Sequence, residues 1–321
     1  MQKFLSLWRF SRPHTIIGSS ISVFCLFAYA ALTLNALGPT INGIRPQLMM
    51  NDVNVFVISL IAAIACNIFI TGLNQITDIE IDRINKPNLP LITGEISSAE
   101  AKKWVVLALV TAISLSFYLS VFYGSLISFI SFLGWAYSAP PIRFKRYHIW
   151  AASAIALVRG PLVNIGIALH FLRSIGGTFS HLNILETLAL PFRFEVGVWM
   201  IPLTLFISAF SLGIAWFKDL PDTTGDSQHE VGTLAVKKGR SWAFALGVAI
   251  VSLAYAFLIF WGIYFHWGIP YVFFHILALT VFAIWVYRTD IKDTASLKRF
   301  YKLYWILFFL EYFSFFLLIF R

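Results

Sequence analysis

The sequence predicts an all-α integral membrane protein with nine transmembrane helices. Of its 321 residues, 59% are hydrophobic and only 12% are charged, and the mean hydropathy is +0.79. A helix needs about 20 consecutive apolar residues to cross the hydrocarbon core of a bilayer. The sequence contains nine such runs, at residues 15–34, 53–73, 104–121, 124–140, 149–169, 196–217, 241–262, 269–287 and 303–320.

The basic residues are divided unevenly between the two ends of these nine spans. The N-terminus and the loops after spans 2, 4, 6 and 8 carry 19 of the 24 Lys and Arg residues. Cytoplasmic loops of membrane proteins are enriched in Lys and Arg, so the N-terminus is predicted to be cytoplasmic or stromal. The net charge of +9 therefore reflects membrane topology, and we expect no nucleic-acid partner. The opposite side carries Arg45, Arg173, Arg193 and Arg321.

A first acidic motif follows span 2. Asn74, Asp78 and Asp82 recur every four residues, so they share one face if the helix continues through them. Carboxylates one helical turn apart repel each other, and acidic groups beside a membrane usually need a cation. This face is therefore predicted to bind a metal ion.

A second acidic motif, Asp219, Asp222 and Asp226, follows span 6 on the same predicted side of the membrane. Mg²⁺ prefers hard oxygen ligands and is usually held by one or two carboxylates together with substrate phosphate oxygens. The two motifs therefore predict two Mg²⁺ ions bound between carboxylates and a diphosphate. A diphosphate with a long hydrocarbon tail would suit such a site, because its tail could lie in a groove open to lipid.

Several side chains near the motifs are candidates for binding this substrate. Four cations could neutralise the phosphate charge that the metal ions leave over. Two of them, Arg143 and Lys145, follow the two prolines at the end of span 4. Their alternative role is that of ordinary basic residues anchoring the cytoplasmic end of a span. One tyrosine could line the site, although core packing is the alternative for any single aromatic residue. The candidates are Arg83, Arg143, Lys145, Lys218 and Tyr137.

Arg159 lies within span 5, where an arginine costs about 2.5 to 3.5 kcal/mol unless it pairs or faces a wet cavity. We expect it to point into a polar interior, with snorkelling to the inner surface as the alternative. Glu311 is an intramembrane acid without an obvious partner in the sequence. Residues 171–195 are interpreted as an outer loop that contains Gly176 and Gly177 but no recognisable chemistry.

Together, the two acidic motifs on nine spans resemble the UbiA superfamily of intramembrane prenyltransferases, over nearly the whole chain. A narrower set of segments is similar to the homogentisate prenyltransferases. These segments are Phe10-Ser-Arg-Pro-His-Thr15, Asn74-Gln75, Asn85-Lys-Pro-Asn-Leu-Pro-Leu91, Gly94-Glu95, Tyr137-Ser-Ala-Pro-Pro141 and Phe217-Lys-Asp-Leu-Pro-Asp222.

The resemblance implies a single prenyltransferase domain over residues 1–321, built as a helical bundle around a central cavity open to the inner side. Spans 1–4 and 5–8 would form a weak internal repeat to which span 9 is added. It also implies Mg²⁺-dependent transfer of a prenyl chain, with phytyl favoured, from its diphosphate to homogentisate. Decarboxylation accompanies the transfer, as a step of tocopherol biosynthesis.

The resemblance also assigns roles to individual residues. Asp78, Asp82, Asp222 and Asp226 are implied to be catalytic and to hold Mg²⁺ and the diphosphate. Asn74 and Asp219 support them, and Lys145 is implied to bind the diphosphate or the acceptor. Apart from the resemblance, the position of Arg159 within span 5 makes it our candidate for reading the carboxylate of homogentisate.

Two alternatives to this function stay open at the level of the sequence. One is another transferase of the superfamily, namely a homogentisate geranylgeranyl- or solanesyltransferase or a chlorophyll synthase. The other is a transporter for Mg²⁺ or a polyphosphate, because intramembrane acids often mark ion paths. No extension like a transit peptide precedes span 1, so we expect a cyanobacterial membrane.

Overall fold

A computed structural model describes residues 2–37, 50–175 and 179–320 of the chain. In these ranges the chain folds into helices and turns. Nine helices of the described part are long and apolar enough to cross a membrane, which confirms the predicted spans. Arg45, Arg321 and the Gly176–Gly177 pair lie outside the described residues. The spans are Pro13–Leu34, Met50–Thr77, Ser98–Leu119, Val121–Ser138, His148–Ser174, Phe194–Asp219, Arg240–Tyr264, Ile269–Tyr287 and Thr294–Leu317.

The chain divides into two compact units. Unit 1 comprises residues 1–142 and 162–201, and unit 2 comprises residues 143–161 and 202–321. The helices are α1 (Gln2–Phe10), α2 (Pro13–Leu37), α3 (Met50–Thr77), α4 (Ile79–Asn85), α5 (Ser98–Leu119), α6 (Val121–Ser138), α7 (His148–Leu157), α8 (Ala168–Ser174), α9 (Ile184–Ala189), α10 (Phe194–Asp219), α11 (Thr223–Gln228), α12 (Leu234–Lys238), α13 (Arg240–Tyr264), α14 (Ile269–Tyr287) and α15 (Thr294–Ser314).

Within unit 1, α5 packs against α3 through a stripe of small residues. Ala101, Val105 and Ala108 are buried and lie three or four residues apart, on one face of the helix. A Cβ atom at Gly72 of α3 would lie 2.7 Å from the Val105 side chain, so only glycine permits this approach. Small residues at helix contacts are typical of membrane bundles. The other faces of α5 expose large apolar side chains, among them Trp104, Val106, Leu107 and Val110.

Polar contacts tie α1 to the loop that follows α4. Arg9 Nη1 donates to Glu95 Oε1 over 2.9 Å, and Ser6 Oγ donates to Glu95 Oε2 over 2.6 Å. The Ser6 hydrogen bond, with help from Thr93 and Arg9, holds the pKa of Glu95 below its ordinary value. Gln75 Nε2 donates to the Phe10 carbonyl over 2.6 Å. These contacts hold α1 beside the first acidic motif.

The span around Arg159 is irregular. Between α7 and α8 the chain forms a π-helix over Val158–Ile167, with Pro161 inside it. Proline has no backbone N–H to donate and its ring crowds the preceding turn, which explains a local departure from the α-helix. Such insertions are frequent at functional sites, and this one places Arg159 in its first turn.

The segment 171–195, which was interpreted as an outer loop, contains short helices. It begins in α8 and contains α9, whose start has a capping box: Glu186 N donates to Asn183 Oδ1 over 3.0 Å, and Asn183 N donates to Glu186 Oε2 over 2.9 Å. A helix of six residues leaves little periodicity in a sequence, so α9 could not be recognised from it.

Unit 2 has a core built from aromatic rings. Tyr304 of α15 stacks on Phe210 of α10 with ring centroids 4.0 Å apart, and its hydroxyl donates to the Phe210 carbonyl over 2.8 Å. Phe217 meets Tyr304 edge to face at 5.0 Å. Such pairs stabilise a fold beyond the area they bury. Many aromatic residues of the last three spans are therefore packing residues.

Glu311 has a partner in the folded chain, which corrects the sequence interpretation. His275 Nε2 lies 3.1 Å from Glu311 Oε1, and both side chains are buried. His275 Nδ1 donates to the Tyr271 carbonyl over 2.7 Å, because a carbonyl can only accept. Pairing with a polar partner lowers the cost of burying both side chains.

Candidate active site

In unit 1, the first acidic motif is built on a helix that stops. The prediction of a shared face assumed an unbroken helix, but α3 ends at Thr77 and α4 begins at Ile79. Asp78 lies between them with φ −114° and ψ 14°. Thr77 Oγ1 donates to the Asn74 carbonyl over 3.0 Å, and side-chain bonds of this kind compete with helical ones. The condition for a shared face, a helix that continues through Asp78, is therefore not met.

Side chains of this motif contact one another directly. Asn74 Nδ2 donates to Asp78 Oδ2 over 2.9 Å and lies 3.5 Å from Ser138 Oγ, at the end of α6. Asp82 is 3% exposed, and Lys86 Nζ donates to its Oδ1 over 3.3 Å. Its Oδ2 is buried and has no hydrogen-bond partner among the residues that the structure describes. Asn74 therefore orients one carboxylate, while the other has an oxygen left to satisfy.

In unit 2, the second acidic motif has the same backbone geometry. The helix α10 ends at Asp219, and Asp222 precedes α11 with φ −97° and ψ 4°. Asp222 N donates to the Asp219 carbonyl over 3.2 Å, and Asp226 N donates to the Asp222 carbonyl over 3.1 Å. Asp226 is 7% exposed. Both motifs thus place a half-buried aspartate at a break between helices and a buried aspartate one turn later.

Cations and hydroxyls lie close to the second motif. Lys218 Nζ lies 3.4 Å from Asp219 Oδ1, so this predicted phosphate ligand already pairs with an acid. Arg240 donates from Nη2 to Thr223 Oγ1 over 2.8 Å. Arg240 was not among the residues predicted from the sequence, which contains no signal linking the start of α13 to the start of α11.

The basic loop after α6 is bonded to the segment that follows the second motif. Gly232 N donates to the Arg146 carbonyl over 3.1 Å, and Val231 N donates to the Asp226 carbonyl over 2.9 Å. The fold of unit 2 therefore brings residues near 145 and 226 together. Sequence reasoning had associated them only through their charges.

Two predicted phosphate ligands lie in this basic loop. Lys145 is 5% exposed. Arg143 adopts a left-handed conformation with φ 45°. Burial, followed by the charge of Arg146, lowers the pKa of Arg143. An anion bound nearby would oppose both effects, since it favours the charged form of the guanidinium.

The other predicted ligands have different surroundings. Arg83 forms an exposed ion pair with Glu80 over 2.9 Å, on the outside of α4. Tyr137 is half-buried at the end of α6. The Arg159 guanidinium lies over the rings of Trp305 and Phe308, at 4.9 and 5.7 Å from their centroids. The surroundings of Arg159 within unit 2 are therefore in large part aromatic.

The first motif offers a donor set that suits Mg²⁺. A buried carboxylate oxygen that no described protein group satisfies, such as Asp82 Oδ2, is costly unless water or a cation binds it. Neither motif gathers three or more carboxylate, histidine or cysteine side chains close enough to hold a metal among the described residues. Mg²⁺ is normally held by one or two carboxylates, with phosphate oxygens and water as further ligands. The residues present fit that mode.

Comparison with known sequences decides the family. The sequence profile described as the UbiA prenyltransferase family matches residues 23–311. The chain belongs to this family. Both acidic motifs, the basic loop and Arg159 lie inside the matched range of this UbiA chain. The protein is a multi-pass integral membrane protein, as its nine apolar helices also indicate.

The UbiA chain is similar to two proteins of known name and to a solved structure. Homogentisate phytyltransferase of Synechocystis is 34% identical over 310 residues, covering 96% of this chain and 93% of that protein. Homogentisate solanesyltransferase of Arabidopsis thaliana is 34% identical over 319 residues, covering 96% and 75%. A UbiA homolog from Archaeoglobus fulgidus, solved with DMAPP and Mg²⁺, has a TM-score of 0.53 at 17% identity, covering 95% and 98%. This last likeness shows the fold alone.

Proposed function

We propose that this chain transfers a prenyl group from its diphosphate to homogentisate with loss of CO₂, in tocopherol biosynthesis. Relatives that share about a third of its residues over nearly its whole length are named for prenyl transfer to homogentisate. The structural observation that carries the proposal is the acidic break between helices, which occurs twice with the same backbone geometry. The phytyl group is the favoured donor because the phytyltransferase matches over most of both chains.

The aspartates are proposed to hold the head group of the donor. Asp78 and Asp82 in unit 1, and Asp222 and Asp226 in unit 2, would bind two Mg²⁺ ions together with the diphosphate oxygens. When bound, Mg²⁺ neutralises the diphosphate and makes it a better leaving group. Asn74 supports this role because it fixes the orientation of the Asp78 carboxylate.

The cations are proposed to share the remaining phosphate charge. Lys145 and Arg143 are the strongest candidates because their loop is bonded to the segment after Asp226. Lys218 is held at the second motif by Asp219. Arg83 contributes less, since it is paired with Glu80 on an exposed surface.

Arg159 is proposed to bind the carboxylate of homogentisate. Its stacking on Trp305 and Phe308 uses the face of the guanidinium. Hydrogen bonds to a carboxylate use the edge, where the N–H groups form a fork that matches two oxygens. The aromatic rings therefore fix the plane in which the acceptor would be bound. Tyr137 is proposed to line the site.

The reaction and its topology follow from these roles. The bond between the first prenyl carbon and the diphosphate oxygen breaks, and a bond forms from that carbon to the ring of homogentisate. The carboxylate leaves as CO₂, and the proton displaced from the ring balances the one that the side chain gains. We place the N-terminus and the acidic motifs on the cytoplasmic or stromal side, as the distribution of Lys and Arg supports.

The test is an assay of the purified full chain with homogentisate and a series of prenyl diphosphates from geranyl to solanesyl. We expect products whose mass shows gain of the prenyl group and loss of CO₂, with phytyl diphosphate giving the highest kcat/KM. EDTA should abolish turnover, and Mg²⁺ should restore it. Turnover that persists in EDTA, or a prenylated product that keeps its carboxyl group, would contradict the proposal.

The same assay separates the alternative functions that the sequence left open. A solanesyl- or geranylgeranyltransferase would prefer that donor over phytyl diphosphate, and a chlorophyll synthase would require a chlorophyllide acceptor. Membership of a prenyltransferase family gives the transporter alternative no support.

A further inference from the structure

A polar cavity lies at one end of unit 1, between the start of α6 and the end of α8. Its volume is about 230 Å³, and a single cation and several hydroxyl groups face it. No acidic side chain lines it within the described part of the chain. The residues that matter are Ser120, Phe122, His170, Arg173, Ser174 and Ser180.

Arg173 gives this cavity a positive charge with unused hydrogen-bonding capacity. Its Nη2 donates to the Leu182 carbonyl over 3.0 Å, and its guanidinium lies 6.0 Å from the centroid of Phe122. Its Nε is buried and, within the described ranges of the chain, has no hydrogen-bond partner. A buried donor on a charged group is expensive to leave unsatisfied. The Leu182 carbonyl and the Phe122 ring hold the guanidinium at the cavity wall.

A chain of hydrogen bonds behind the cavity orients a second donor. His170 is 1% exposed, with Nε2 at 2.9 Å from Ser59 Oγ and Nδ1 at 3.3 Å from Ser174 Oγ. The ring stacks on Tyr123 at 4.1 Å, which fixes its plane. In the tautomer protonated at Nδ1, Ser59 donates to Nε2 and His170 donates to Ser174. The Ser174 hydroxyl is then left to donate into the cavity.

The start of α6 also contributes a hydrogen-bond donor and partial positive charge to the cavity. Ser120 Oγ accepts from Tyr123 N over 3.1 Å, so its own proton remains available as a donor. The N-terminus of a helix of 18 residues carries partial positive charge. Arg173, the Ser120 hydroxyl and this helix end therefore favour an anion in the cavity, and Ser174 adds a second hydroxyl donor in the tautomer of His170 that is protonated at Nδ1.

We propose that this cavity binds a phosphate group. Water occupies about 30 Å³ per molecule in the liquid, so a cavity of about 230 Å³ has the volume of about eight waters and accepts a phosphate with part of its ester. His170 contacts Ser59, which lies about 22 Å along α3 from Asn74 at about 1.5 Å per residue. The site is therefore distinct from the first acidic motif and does not depend on the proposed activity.

The phosphate could belong to a lipid or to a free anion, and thermal unfolding of the purified full chain separates the two. One arm adds inorganic phosphate against chloride at equal ionic strength. The other adds a short-chain phosphatidic acid against the corresponding diacylglycerol. Both arms contain EDTA and no Mg²⁺, so that no metal ion carries phosphate to the acidic motifs. Native mass spectrometry counts the bound lipid.

The variant is Arg173→Gln, and the matched control is Arg193→Gln. Arg193 belongs to the same unit and also lies 6.0 Å from a ring centroid, that of Phe179, but it does not line the cavity. A phosphate-bearing ligand should raise the Tm of the unmodified protein and of the control. In Arg173→Gln the half-saturating concentration should rise about 10- to 100-fold, because a charge-assisted hydrogen bond is lost.

Each outcome decides the proposal. A rise in Tm with inorganic phosphate assigns the site to a free anion, and a rise with phosphatidic acid alone assigns it to a lipid. If Arg173→Gln does not fold, Ser174→Ala replaces it, with an expected weakening of about 2- to 10-fold. The proposal is wrong if no phosphate-bearing ligand stabilises the unmodified protein. It is equally wrong if the cavity variant responds like the control.

Discussion

The two acidic motifs have similar backbone dihedral angles and hydrogen bonds at their aspartates, but the side chains that precede these aspartates differ. Aligning Asp78 with Asp222 also aligns the buried aspartates Asp82 and Asp226, because the same backbone bonds connect them. The position three residues earlier is then Gln75 in unit 1 and Asp219 in unit 2. Gln75 is turned toward the Phe10 carbonyl. The two motifs therefore agree at two carboxylates and differ at the residues before them.

This difference means that the carboxylates of the two motifs have different polar partners. At the position four residues before the first aspartate, unit 1 has Asn74 and unit 2 has Lys218. Asn74 donates to Asp78, so a neutral amide orients that carboxylate. Lys218 pairs with Asp219, so in unit 2 an extra acid is balanced by an extra cation. The shared aspartates are the candidates for equal catalytic roles, and Asp219 is not the counterpart of Asn74.

The largest expected effect tests the equality of the shared aspartates. Asp78→Asn and Asp222→Asn should each lower kcat about 10³-fold or more, because each removes a charge that we propose to bind the metal. Circular dichroism and Tm should stay close to those of the unmodified protein. Asp290→Asn, an exposed aspartate between α14 and α15, is the control. A variant of either motif that keeps a near-normal kcat would break the comparison.

A substitution of Arg159 tests whether a residue of unit 2 binds the carboxylate of the acceptor. Arg159→Lys should raise the KM for homogentisate roughly 10- to 100-fold, about 1.5 to 3 kcal/mol, because an ammonium cannot reproduce two parallel hydrogen bonds. The KM for the prenyl diphosphate should change much less. The control is Arg193→Lys, an arginine of unit 1 that also lies near a ring. Loss of donor affinity instead would move Arg159 to the phosphate, and no change would make it structural.

Asp219, which has no acidic counterpart in the first motif, tests whether the two motifs differ in the number of residues that contribute to activity. Asp219→Asn should lower kcat/KM by about 10-fold or less, since this residue is paired with Lys218 and an exposed or partly exposed pair contributes little. The measurement is kcat/KM for the prenyl diphosphate beside that of Asp222→Asn. Equal losses in the two variants would make Asp219 a metal ligand of the same rank.

The smallest effect concerns the loop after the first motif, which is tied to α1 by Glu95. Hydrogen bonding by Ser6, assisted by Thr93 and Arg9, lowers the pKa of Glu95 from its ordinary 4.5. The ionised carboxylate therefore stabilises the fold above that value, and this contribution disappears as the pH falls through the lowered pKa. Between about pH 6 and pH 3, the unmodified protein should lose slightly more Tm than Glu95→Gln. Glu195→Gln, an exposed acid, should behave like the unmodified protein, and identical slopes for all three would remove this role.

The nine spans and the two acidic motifs were predictable because each depends only on residues that are close together in the sequence. A run of apolar residues identifies a span regardless of what it contacts, and the spacing of Asp78 and Asp82 marks a turn of chain near a membrane surface. The break at Asp78 was not predictable in the same way. Thr77 Oγ1 donates to the Asn74 carbonyl beside the break, but Thr71 makes the same kind of bond inside the continuous α3, so this pattern in the sequence does not locate a break.

The sequence by itself determined the membrane class, the spans, the family resemblance and the acidic residues, because hydropathy and short-range spacing act within one segment. Only the tertiary structure decided which distant groups meet. Glu311 gained His275 as a partner, the loop of Arg146 joined the segment after Asp226, and Arg173 came to face a polar cavity. Each of these depends on packing between helices far apart in the chain. Burial then forces their polar atoms to find partners among whatever that packing brings near.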